Sequence, residues 1–327
     1  MLVKNLLYSI FSLILGLFLV WLILYLTPVD AEQVLVSLKS INPIYAGLVL
    51  LSTFVHLWLT AYKWKLITQK LTSEQKQPQK FYLAYITVAC LTIQFVPQHI
   101  GMLIVQSFAM KFHKISTLSR GFFGIIYDQF FNLLIPLVLL LPSLLFLFNY
   151  LSLSAAIFVS ISSVVIAHSV LKKWQKTLVL WLVQGYYTVQ KLVRKKAQPV
   201  NDIQLPVLGA RFTSRLFWIS ALRHANWVLR GFLIAMAGGL SIQFWAIAFA
   251  VPVIQLAMII SFTPANLGFM EWGWIGVLGL LQVSTVEAVS FALLQRILGL
   301  SSLLLITLGL SLSLGMERAK TDPNKLL

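Results

Sequence analysis

Charge is scarce in this chain, and acid is the scarcest part of it. Charged residues fill 10% of 327 positions, with nine Asp and Glu against 25 Lys and Arg. A water-soluble domain carries about 25% charged residues, so no sizeable soluble domain is expected. The single cysteine, Cys90, excludes an internal disulfide and a cysteine-based metal cluster. The five histidines form no close ligand-spaced pairs, so no metal site is expected. No nucleotide-binding motif is present, and neither a cofactor nor ATP drive from this chain is expected.

What fills the space is apolar. Hydrophobic residues make up 59% of the chain, in long runs rather than alternating patterns, which predicts helices and not a barrel. A spanning helix needs roughly 20 apolar residues, and residues 6–26 form the first such run. A signal peptide has an apolar region of only about 7–15 residues, so a retained anchor is expected. The fold class is all-α: a polytopic helical membrane protein.

The net charge of +16 invites a nucleic-acid reading, but its placement does not. Basic residues cluster between apolar runs: Lys63, Lys65, Lys70, Lys76 and Lys80; Lys111, Lys114 and Arg120; Lys172, Lys173 and Lys176; Lys191, Arg194, Lys195, Lys196, Arg211 and Arg215. This is the positive-inside pattern of cytoplasmic loops, and it favours anionic lipid headgroups over nucleic acid. Only Lys39, Arg223, Arg230 and Arg296 fall outside predicted inner loops and ends. The cell membrane, the bacterial inner membrane in particular, is the expected location, with both termini cytoplasmic.

Threading the runs predicts about six full spans and two broken hairpins within one membrane domain, 1–327. Residues 81–110 lie between two basic loops and are read as a hairpin interrupted at Pro97 and Gly101. Residues 245–281 are interrupted at Pro264 and Gly268. Residues 177–196 mix aromatic and basic side chains, which suits an interfacial helix within a cytoplasmic segment, 172–212. The two interruptions match: Phe95-Val96-Pro97-x-x-x-Gly101 against Phe262-Thr263-Pro264-x-x-x-Gly268, offset by 167 residues. The same offset pairs Lys63 with Arg230, and Tyr127-Asp128-Gln129 with Leu294-Gln295-Arg296. The span order and topology predict an inverted repeat, 43–150 and 213–316, the sequence pointer to a transport site near the midplane.

Ionisable residues at a bilayer centre cost ~2.5–3.5 kcal/mol even on insertion scales. Candidates are Arg223, His224 and Arg230 on one span, Asp128 on another, Glu271 after the second break, and Arg296 on the last span. Arg223 and Arg230 are seven apart and share a helix face. Guanidinium pairs bidentately with phosphate, so an arginine-lined cavity suits a lipid phosphate. Helix N-termini freed at the breaks also favour anions, with Asn266, Gln98 and His99 as neutral donors. Snorkelling at an interface suits Arg223 and Glu287, and a structural ion pair of Glu271 with an arginine is the other reading.

The stretch Pro264-Ala265-Asn266-Leu267-Gly268-Phe269-Met270-Glu271, then Gln295-Arg296, resembles the lysylphosphatidylglycerol synthase transmembrane-region family of flippase-like proteins. Trp64 and Pro97-x-x-x-Gly101 fit its first half. The resemblance covers about residues 5–315. It departs at Met102, where a Glu is common, and at Asp128-Gln129, where an Arg is. It implies no aminoacyl-transferase activity here.

Three functions follow as expectations. A transporter, not an enzyme, would move an anionic phospholipid or polyprenyl-phosphate-linked sugar through the cavity. A membrane glycosyltransferase using a lipid-phosphate donor would rely on Asp30 and Glu32. A membrane partner of a cytoplasmic glycosyltransferase would bind it through residues 191–196.

Overall fold

A computed structural model describes residues 14–19, 21–23, 25–26, 40–71, 77–96, 98–115, 118–193, 209–260 and 263–321. Pro97, the side chains of Gln98 and His99, the pair Asp30 and Glu32, and Arg194–Lys196 lie outside them, as do residues 6–13, 20 and 24 of the 6–26 run. Among the described residues there are helices and turns and no strand. The helices are α1 (Pro43–Leu71), α2 (Gln79–Thr92), α3 (Gln98–Phe112), α4 (Leu118–Leu147), α5 (Leu153–Val193), α6 (Ala210–Ala237), α7 (Phe244–Ile260), α8 (Phe269–Leu280) and α9 (Thr285–Thr321). A short 3-10 turn, Pro264–Asn266, joins α7 to α8.

Local sequence explains the starts. Asn42 accepts the Ile44 N–H at 3.0 Å through Oδ1, and Pro43 takes the first helical position, where no N–H is needed. At α9, Ser284 Oγ accepts from Glu287 N at 3.3 Å and donates to Glu287 Oε2 at 2.9 Å. Glu287 Oε1 also takes the Ser241 N–H at 3.1 Å. Glu287 is therefore a capping residue.

Among the described residues, four helical stretches are long and apolar enough to cross a membrane: Pro43–Leu71, Gly124–Leu147, Leu153–Gln175 and Thr285–Ser313. Helix α6 has spanning length at 28 residues but carries Arg211, Arg215, Arg223 and Arg230. Both expected hairpins form, α2–α3 and α7–α8, each with its arms packed together.

Three sequence expectations are revised. Gly101 lies inside α3 and does not break it; a Cβ there would stand 2.6 Å from Ile93 Cγ2, so this glycine lets the hairpin arms close. Residues 177–193 continue α5, a single helix of 41 residues, with no separate interfacial helix. Helix α1 runs past the expected end of its span at Tyr62 as far as Leu71, and Lys63 inside it is 0% exposed rather than in a loop.

Helix starts repeat at a fixed spacing. Helix α1 begins at 43 and α6 at 210; α4 begins at 118 and α9 at 285; both pairs are 167 apart. The packing repeats too: α1 contacts α2, α4 and α9, and α6 contacts α7, α9 and α4. Helices α1 and α6 pack on each other antiparallel. Asn42 N donates to Ala237 O at 2.9 Å, Ser52 Oγ to Asn226 Oδ1 at 3.1 Å, and Lys63 Nζ to Ser220 Oγ at 3.2 Å. The largest buried cluster joins α6–α9 to Val49 of α1 and Leu147 of α4, and a second joins α1–α3 to Leu303 and Ile306 of α9. A polar interior lies between them.

Candidate functional site

A cavity of about 260 Å³ opens between α1, α2, α4, α6, α7 and α9, against the 3-10 turn. One water needs only about 10–15 Å³ by such a measure, so there is room for a headgroup. Helix α6 presents Arg223, Trp227 and Arg230 to it, at i, i+4 and i+7 and hence on one face. Helix α1 adds His56 and Thr60, α4 adds Gln129 and Asn132, and α9 adds Gln295 and Arg296. The lining includes pairs 167 residues apart: His56 with Arg223, Thr60 with Trp227, and Gln129 with Arg296.

The three arginines differ in what holds them. Arg296 is committed: Nε and Nη2 donate to Glu271 Oε1 at 2.8 and 2.5 Å, and Nη1 donates to Ala265 O at 2.9 Å. Three of its five donors are used, and its side chain is 21% exposed against 2% for Glu271. Arg230 lies over the Trp227 ring, 5.8 Å from the centroid, a cation–π contact worth more when dry. Arg223 makes no hydrogen bond or ion pair with any described residue. Two positive charges thus face the cavity with no paired acid among the described residues.

The second break is built backbone first. Ala265, Asn266 and Gly268 all have positive φ, at 52°, 56° and 82°. Gly268 is required twice over, because a Cβ there would stand 2.4 Å from Leu19 Cβ. Its N–H donates to Glu271 Oε2 at 2.8 Å. The N–H of Ala265 donates to Ile93 O at 2.8 Å. Read from sequence, these N–H groups are free for an anion; in the structure Glu271 and Ile93 take them, so neither is free.

Asp128 is placed away from the cavity wall. Its Oδ1 is 3.1 Å from Lys63 Nζ, with both side chains essentially unexposed. Lys63 also donates to Asp128 O at 3.3 Å, to Ser220 Oγ and to Asn132 Oδ1. Asn132 Nδ2 reaches Asp128 Oδ2 and Gln129 Oε1, each at 3.4 Å. This polar chain joins the buried pair to the cavity lining. His224 turns to α7, with Nδ1 2.9 Å from Gln255 Oε1.

Of the residues singled out from sequence, Arg223, Arg230, Asn266 and Arg296 come together at the cavity, and Glu271 stands behind Arg296. Sequence reasoning missed His56, Trp227, Gln129 and Asn132 as lining residues. Lys63 had a signal, its 167-residue offset from Arg230, but its lysine-rich neighbourhood resembled a loop.

A family model for the lysylphosphatidylglycerol synthase TM region matches residues 9–309. The chain belongs to that family. The family's membrane region thus spans both hairpins and the cavity between them, and it sets the chain among membrane proteins related to lipid handling. No curated protein matches the chain.

Proposed function

We propose that the protein is a lipid transporter that passes an anionic headgroup, of a phospholipid or a polyprenyl-phosphate-linked sugar, through this cavity while the tails stay in the bilayer. The observation that carries the reading is the pair Arg223 and Arg230, two turns apart on one face of α6 in the cavity and without an acidic partner among the described residues. Uncompensated charge among apolar helices is costly, and a phosphate supplies the missing anion with bidentate geometry.

The reading includes an inverted repeat, with α1–α4 and α6–α9 as its halves and the cavity on the axis between them. It is supported by the 167-residue spacing, the matched packing pairs and the antiparallel contact of α1 with α6. Opposed halves give a carrier two equivalent faces. The basic clusters would lie on the cytoplasmic side of the inner membrane.

The experiment is reconstitution into vesicles of phosphatidylethanolamine and phosphatidylglycerol, following a fluorescent phosphatidylglycerol between leaflets. Each charge-assisted contact is worth about 1.5–3 kcal/mol, so Arg223→Ala and Arg230→Ala should each slow movement roughly 10–100-fold. Neither side chain is hydrogen-bonded to a described residue, so thermal stability should stay near that of the wild type. Wild-type rates in both variants would overturn the mechanism.

A further inference from the structure

The buried pair Lys63–Asp128 takes no part in holding the headgroup, yet it is the most completely buried ion pair among the described residues, at 0% and 1% exposure. Burying such a pair costs several kcal/mol per ion, and an apolar substitute is often as stable. The second half of the chain shows that the architecture does without it. At the 167-residue offset Lys63 corresponds to Arg230, but Asp128 corresponds to Gln295, a neutral side chain whose Oε1 is buried and without a hydrogen bond among the described residues. One half therefore has a cation with its acid, and the other a cation without.

We propose that Asp128 is a proton-binding group that couples headgroup binding to proton uptake, so that a proton gradient can drive transport. The proposal rests on the reading of the cavity as an anion site. The charges supply the logic. With Asp128 ionised, Lys63 is neutralised by it, Arg296 is neutralised by Glu271, and the interior holds the two positive charges of Arg223 and Arg230. A proton from water on carboxylate oxygen Oδ1 or Oδ2 makes Asp128 a neutral acid. Lys63 then adds a third positive charge, and an anionic headgroup is held more tightly. Proton and anion enter together and leave together, and by linkage each raises the affinity for the other.

The groups around Asp128 fit this role. Helix α1 brings Lys63, and His56 at the cavity; α6 brings Arg223, which lies within electrostatic reach of Asp128, and Arg230. Helix α7 has no ionisable residue. Just past α3 and on α5, His113 is held by Tyr85 and His168 by Ser214, while Lys111, Lys172 and Lys173 lie outside the buried core. The connection to the cavity is Asn132, one turn on from Asp128, which lines the cavity and donates to Asp128 Oδ2.

The test is calorimetric titration of the purified full chain with dihexanoyl phosphatidylglycerol, in two buffers of different ionisation enthalpy. This phosphodiester does not itself titrate between about pH 5 and 8. The wild type should take up close to one proton per lipid bound, and affinity should rise up to about tenfold for each pH unit lowered. Asp128→Asn should bind without uptake. Because it leaves Lys63 buried and alone, the double variant Lys63→Met with Asp128→Leu provides a neutral, similarly sized replacement that should also bind without uptake. Binding by the wild type with no proton uptake, or equal uptake in the double variant, overturns the proposal alone. No binding by the wild type overturns the anion reading, and this proposal with it.

Discussion

The backbone N–H of Ala265 donates to the carbonyl oxygen of Ile93 at 2.8 Å, so the turns of the two hairpins touch through main-chain atoms. The contact joins α7–α8 to α2–α3 beside the cavity and closes one side of it. A carrier that alternates its access must part these turns or slide them.

Cross-linking tests that motion. Cys90 is the only native cysteine, so Cys90→Ser gives a clean background. Ile93→Cys with Ala265→Cys should oxidise readily, because bonded backbones bring the Cβ atoms near disulfide range. Lipid movement should stop on oxidation and return on reduction. Unchanged movement in the fully cross-linked protein would mean that these turns do not move.

The pairing of Glu271 with Arg296 should matter to stability first. Glu271→Gln keeps an acceptor for the Gly268 N–H but removes the charge opposite Arg296. Breaking a buried pair costs about 3–5 kcal/mol, and the partial exposure of Arg296 puts the expected loss near the lower value. Thermal unfolding in detergent would read it. Arg296→Ala should destabilise similarly, unlike Arg223→Ala.

These charges show what can be read from sequence. Apolar runs and Pro-Gly interruptions reveal the long helices and the hairpins, because length and backbone chemistry are local. A structural pairing of Glu271 with an arginine is one of the two readings its position allows. The site of Asp128 is not legible, because its partner Lys63 lies 65 residues away and on another helix. Counting basic residues near a span locates the inner face but does not say which of them turns inward. Gly101 reads as a break because proline and glycine look alike as interrupters, whereas its small size serves the contact with Ile93.

Glycines along the second hairpin should divide sharply. Gly268→Ala forces a side chain into positive φ and against Leu19, at an expected cost of about 2 kcal/mol. Gly276→Ala, inside α8 with open space around it, should be neutral or stabilise by up to about 1 kcal/mol. Comparable melting temperatures for the two variants would contradict the turn geometry.

Asn226 offers a smaller test between the halves. It donates to Ser52 O at 3.0 Å and accepts from Ser52 Oγ. Hydrogen bonds between membrane helices average about 0.6 kcal/mol and reach about 1.7. Asn226→Ala should lose an amount in that range. A loss several times larger would mark this contact as a keystone of the α1–α6 seam.

Helix α5 lies between α4 and α6 in the chain, and it packs on both. At 1.5 Å per residue its 41 residues extend ~60 Å, against ~30 Å of hydrocarbon. Roughly half of it therefore has to project past the bilayer core. A rocking of ~10° would swing the far end of that arm by ~5 Å, given a free length of ~30 Å. Small rearrangements deep in the membrane would thus be amplified into a displacement that an aqueous probe could sense.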